Sequence, residues 1–199
     1  MKPKKSLLSI AHISFLSLFL ILSCEKDNDF TEIKTDISGN ENVTEKIVFL
    51  SDDIELSFNN YTELLIYMKD DYRYNEIKEK VDGLLCEKEK IKSLGLINKN
   101  EDSEEVHNYL SSFKKNSIEF KTSAGNVLFY DENLQGHAIW APVPMPLMKK
   151  ENRNKVSSVN AIAPIVICTS TYFRGTQYFI WGTKNSLPYY VDNNTESYY

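Results

Sequence analysis

Histidine, cysteine and glycine are scarce in this 199-residue chain, which carries three, three and seven of them. His12 lies near the start, leaving His107 and His137 with no His-Glu-x-x-His and no Cys-x-x-Cys, so a zinc site would need scattered ligands. The few glycines form no phosphate-cradling loop, no Gly-x-Ser-x-Gly elbow and no glycine-rich repeat. Basic residues are outnumbered, 23 against 28, for a net charge of −5. An acidic chain gains nothing from counterion release on a phosphate backbone, which argues against nucleic acid as a partner. Asp192-Asn193-Asn194-Thr195-Glu196 supplies oxygen donors but lacks EF-hand spacing and its glycine. No metal and no cofactor is expected.

Long apolar runs are also rare, and the longest stands at the front. Lys2, Lys4 and Lys5 precede Leu7–Leu22, which Ser9, His12, Ser14 and Ser17 interrupt. A membrane-spanning helix needs about 20 predominantly apolar residues. A basic start, a short apolar core and a small residue before a cut describe a secretory signal, here residues 1–23. Without its three lysines the net charge moves from −5 to −8.

Ile21-Leu22-Ser23-Cys24 resembles the lipobox of bacterial lipoproteins, with Leu22 where a small residue is more usual. The resemblance implies that the Cys24 thiol receives a diacylglyceryl group and that its amine is acylated after cleavage. Several acyl chains, at about 0.8 kcal/mol per buried CH₂, hold where one does so only marginally. Glu25-Lys26-Asp27-Asn28-Asp29 resembles the acidic export tag of surface-displayed lipoproteins in gut-type Gram-negative bacteria. These likenesses imply a cell-envelope protein on the outer membrane, facing the exterior. Residues 24–44 read as a lipidated polar tether and 45–199 as one domain.

Within 45–199 the expected class is α+β: a helical first half, about 60–116, packed on a small antiparallel sheet in a β-rich second half, 117–191. Lys46–Leu50 and Ile54–Phe58 read as short strands. Asn60 with Glu63 has the form of a capping box for a helix carrying Tyr61, Leu64, Leu65, Met68 and Tyr72 on one face. A helix over 75–93 buries Ile77, Val81, Leu84, Leu85 and Ile91, places Cys86 opposite, and stops at Gly95. A third spans 101–116, with Val106, Leu110 and Phe113 inward, His107 beside them, and Asp102 or Ser103 as cap. Ser117–Lys121 and Asn126–Tyr130 read as a hairpin, followed by a strand at His137–Ala141. Asn160–Thr169 reads as a strand buried on both faces, with Pro164 at an edge or bulge. Tyr172–Trp181 reads as a hairpin turning at Arg174-Gly175, Leu187–Val191 as a last strand, and 192–199 as a polar tail. Cys86 and Cys168 either bridge or serve as small buried hydrophobes. Val48-Phe49-Leu50, Phe58-x-x-Tyr61 and Ile91-Lys92-Ser93-Leu94 resemble stretches of uncharacterised gut-bacterial lipoproteins, a likeness that carries no function.

For chemistry, Cys168 with His137 supplies the residue types of a nucleophile and base, and Asp131 or Glu132 those of a glycosidase acid, without supporting spacing. No catalytic residue is assigned. Aromatic density late in the chain is the stronger feature. Trp140, Tyr178 and Trp181 are the candidate ligand-binding residues, as flat rings for a glycan or anchors for a protein. Alternation puts Tyr178 and Ile180 on one face, Phe179 and Trp181 on the other. The favoured function is a non-enzymatic binding or interaction module. The alternatives are a secreted hydrolase with a dispersed site and a structural envelope subunit.

Overall fold

The computed structural model describes residues 45–52, 54–116 and 125–199. Residues 1–44, which hold the expected signal segment, Cys24 and the expected tether, lie outside them, as does the expected strand Ser117–Lys121. The described elements are β1 (Ile47–Ser51), β2 (Ile54–Phe58), α1 (Tyr61–Met68), α2 (Tyr74–Ser93), α3 (Glu104–Asn116), β3 (Asn126–Asp131), β4 (Gln135–Ala141), β5 (Ser158–Ser170), β6 (Arg174–Lys184) and β7 (Ser197–Tyr198).

The strands form one sheet in the order β2-β1-β6-β5-β3-β4, with β7 on β5. The class is α+β, but the expected small antiparallel sheet of the second half needs correcting. The first-half strands β1 and β2 belong to the same sheet, and β1 pairs parallel with β6, making the sheet mixed. Parallel neighbours need a long crossover, and here everything from β2 to β5 intervenes. The helices are not confined to the first half either: α3 runs past mid-chain, and a 3-10 turn lies at Lys150–Asn152.

Local chemistry explains the helix ends. The Asn60 side chain caps α1 by accepting the Glu63 N–H at 2.9 Å, while the Glu63 carboxylate reaches back to the Asn59 N–H, also at 2.9 Å. Tyr72, expected on the α1 stripe, lies beyond its end and is exposed. Gly95 stops α2 with a left-handed φ of 63°. The Ser103 hydroxyl accepts the Val106 N–H at the start of α3.

Two hydrophobic clusters sandwich the sheet. On the helical side, Ile47, Phe49, Val166, Cys168 and Phe179 meet Leu64, Met68, Ile77, Val81, Leu84 and Val106. On the other side, Val48, Leu50, Ile165, Ile167, Tyr178 and Ile180 meet Met148, Val156, Leu187 and Val191 from irregular segments. β5 is therefore buried on both faces over its second half, and its register shifts between Ala161 and Ile165, around Pro164.

Three expected turns and tails differ. The β5–β6 reversal falls at Tyr172 and Phe173, both at positive φ, one step before Arg174-Gly175. Both rings are buried, so packing holds the strained backbone. Leu187–Val191 is not a strand: the Pro188 carbonyl accepts the N–H groups of Val191 and Asp192, closing a turn. Residues 195–199 are not a free tail. Tyr198 exchanges backbone bonds with Met145 and Tyr199 with Val166, which buries Thr195, Ser197 and Tyr198. Cys168 is a free, buried thiol, so no Cys86–Cys168 bridge exists.

Candidate functional site

The three aromatic candidates separate. Tyr178 points into the cluster opposite the helices and is buried there, which removes it as a contact for a ligand. The reason is the alternation of β6, which gives Tyr178 and Ile180 to one core and Phe179 and Trp181 to the other. Trp181 is half-buried: the Arg73 guanidinium lies 5.6 Å from its ring centroid, and exposed Tyr72 meets it edge-on at 6.3 Å. Arg73 is itself fixed by Asp71, with Nε and Nη2 donating at 2.8 and 2.7 Å, and by the Ser51 hydroxyl at 2.7 Å. Hydrogen bonds from Arg73 hold the Asp71 carboxyl down at about 2.

Trp140 differs from both. It stands on the outermost strand, β4, and is 58% exposed. It pairs with Val127, Val127 with Asn160, and Asn160 with Thr183, so these four side chains form a row on one face of the sheet. Trp181, two residues before Thr183, shares that face. Three strand spacings and two residue rises put the two tryptophan Cα atoms roughly 16 Å apart. The Thr183 hydroxyl and Asn160 Oδ1 are 2.9 Å apart between them.

Beside Trp140 opens a cleft of about 150 Å³, walled by Ala141, Pro142, Pro144, Ile165, Tyr198 and Tyr199. Gly125 forms part of its rim, and the Trp140 ring lies so close that a Cβ there would sit 3.2 Å from its Cε2 and Cζ2. Asn126, another wall residue, has its Oδ1 held by the Ala163 N–H at 3.1 Å. The charged member is Lys80 of α2. Its Nζ stands 5.2 Å from the Tyr199 ring centroid, and among the described residues no carboxylate pairs with it. Burial pushes the Lys80 ammonium below its ordinary value. Lys80 follows Ile77 by three positions and precedes Leu84 by four, so the helical period places it on the buried stripe. That lysine within an apolar stripe is the signal by which the sequence could have revealed the cleft. The two terminal tyrosines, expected in a tail, had no such signal.

The pairs considered for catalysis are not assembled. Cys168 is fully buried on the helical face of β5, with its thiol pushed up to about 12 by desolvation. His137 lies exposed on β4, its ring tilted against that of Tyr130 with the centroids 4.8 Å apart. Asp131 and Glu132 are exposed in the β3–β4 turn, where Glu132 accepts the Ser186 hydroxyl at 2.9 Å. Among the described residues no three His, Cys, Asp or Glu side chains group as a metal site.

No family model matches the sequence, and no curated protein does. Among solved structures the chain is similar to a betagamma-crystallin from an archaeon, at 18% identity and a TM-score of 0.34 over 39% of this chain and 96% of that one. It is also similar to the N-terminal domain of protein S, at 23% identity and 0.33 over 38% and 92%. A third is a betagamma-crystallin domain from Flavobacterium johnsoniae, at 13% identity and 0.35 over 38% and 91%.

Proposed function

We infer that this is a lipid-anchored envelope protein, held on the outer membrane through acylated Cys24, that works as a non-enzymatic binding module for a glycan or protein outside the cell. One observation carries the binding part: the exposed ring of Trp140 beside the Lys80 cleft. A large flat ring left in water on an otherwise two-sided core offers contact area at little conformational cost. The lipobox residues and the acidic stretch after Cys24 support the anchoring part.

The test has two arms. Cys24→Ala should move the protein from the membrane to the soluble fraction and abolish labelling by a palmitate analogue; labelling that persists overturns the anchor. A screen of glycans and extracellular proteins should find a partner whose binding Trp140→Ala weakens at least tenfold with the circular dichroism spectrum unchanged. Binding indifferent to Trp140 would remove the site.

A further inference from the structure

We propose that the Lys80 cleft receives the carboxylate of an acidic sugar whose pyranose ring rests on Trp140. The inference rests on the binding-module reading above and names its ligand class.

Several observations converge. Lys80 presents an ammonium inside a largely apolar cleft, over the Tyr199 ring, and no carboxylate among the described residues forms an ion pair with it. A half-buried cation held this way is completed by an anion from outside, because the attraction strengthens as water leaves. The positive charge is single: no arginine and no second lysine lines the cleft. A phosphate dianion calls for an arginine fork or a ring of N–H donors, whereas one ammonium balances one carboxylate. The chain as a whole carries −5, so a densely charged polyanion is repelled and a lone carboxylate on a neutral scaffold is not.

The remaining observations set the scaffold. The Trp140 ring abuts Gly125 at the rim, so a ligand with its charge in the cleft extends across that ring. Beyond it, on the same sheet face, come Asn160 and the exposed Thr183. An aromatic plane followed by an amide and a hydroxyl complements a molecule with an apolar C–H face and hydroxyls on its edge, which a pyranose is. The cleft volume of about 150 Å³ admits one carboxylated ring edge and no more, small beside the roughly 300–1,000 Å³ of drug-sized sites.

Uronic acids and nonulosonic acids both offer this chemistry, so the experiment separates them. Full-length protein in detergent is titrated by calorimetry with a glucuronate-containing oligosaccharide and with sialyllactose, each beside its carboxyl-reduced form, and with neutral lactose. At least one acidic sugar should bind tenfold or more tightly than its reduced form, and which one does identifies the source. Lys80→Gln should erase that preference and Lys80→Arg restore most of it. Trp140→Ala should weaken acidic and reduced forms alike. The reduced-sugar arm needs no substitution, so it holds even if a Lys80 variant folds poorly. Equal binding of both forms, still sensitive to Trp140, overturns the acidic-sugar inference and leaves the binding module standing. Absence of any sugar binding overturns the inference too. If the protein screen is also empty at Trp140, the binding module falls with it.

Discussion

The inner and outer halves of the sheet are built from similar residues but end in different environments. In the inner half, β1, the first part of β6 and the second half of β5 carry Phe49, Val166 and Phe179 toward the helices and Leu50, Ile165 and Ile180 toward the irregular segments. In the outer half, Leu128 and Val159 join the second cluster, but the opposite face presents Trp140, Val127, Asn160 and Thr183, and both Trp140 and Thr183 are exposed. Covering both faces spends nearly every apolar side chain on stability. The outer half keeps a tryptophan in water, where it adds little to folding and is available to a partner. The contrast predicts that substitutions in the two halves separate cleanly into losses of fold and losses of binding.

The largest effect is expected at Phe179, fully buried between β6 and the helices, with Tyr61 edge-on at 6.2 Å. Truncating a buried phenylalanine costs about 3–5 kcal/mol. For a domain of this size that corresponds to a fall in melting temperature of roughly 10 °C or more. A melt of Phe179→Ala shifted by only a degree or two would show that the inner half is not the tightly covered region described.

Next comes the Arg73–Asp71 pair at the boundary of the halves, beneath Trp181. The Asp71 carboxyl is depressed to about 2 from an ordinary 3.8. A carboxylate depressed on folding contributes stability that is complete above its unfolded value and disappears as pH falls through its folded one, here between about pH 4 and pH 2. Asp71→Asn should therefore melt below the parent at pH 6 and converge with it near pH 2. The pair is partly open to solvent, so the gap should be only about 2–4 °C. A gap that is constant with pH would mean the charge is not what matters.

How much of this was legible from residue order differs by element. The α2 stripe, the Asn60 cap, the Gly95 stop and the Pro164 irregularity were readable because each depends on neighbours within a turn or two. The alternation of Tyr178 to Trp181 was readable too, but alternation alone does not say that both sides are covered. The parallel pairing of β1 with β6 was not readable, since Val48 and Tyr178 meet across most of the chain. Nor was the burial of Thr195 and Ser197, polar residues drawn inward because backbone bonds to Asn154, Met148 and Cys168 fix their segment. For the site, Trp140 and Trp181 stood out by type. Lys80 and Tyr199 meet through packing of α2 against the last residue, which no local pattern records.

Gly83 tests that packing with a smaller effect. A Cβ at Gly83 would overlap the Tyr199 hydroxyl, the far end of a flexible side chain. Glycine to alanine inside a helix ordinarily stabilises by about 0.5–1 kcal/mol. Here the gain should be cancelled by displacement of Tyr199 from its edge-on contact with Phe173 at 5.4 Å, so Gly83→Ala should melt within about 2 °C of the parent. Adding Tyr199→Phe, which removes the overlapping oxygen, should recover part of the helix gain. A lone Gly83→Ala that stabilises fully would mean Tyr199 is not seated against α2.

The smallest stability effect is expected at Trp140. Its neighbour in kind, Trp181, packs with Arg73 and Tyr72 and joins the helical-side core, so Trp181→Ala should cost about 1–2 kcal/mol through lost burial and cation–π contact. Trp140 gives up much less, because more than half of its surface already faces water. Trp140→Ala should change stability by no more than about 0.5 kcal/mol in a denaturant melt. Binding should show the reverse order, with Trp140→Ala losing the partner and Trp181→Ala, where folded, retaining most of it. The two tryptophans share one face and sit roughly 16 Å apart. A ligand long enough to bridge them would instead lose affinity with either substitution, and equal losses at both would extend the site from the rim of the Lys80 cleft across the whole open face to Tyr72.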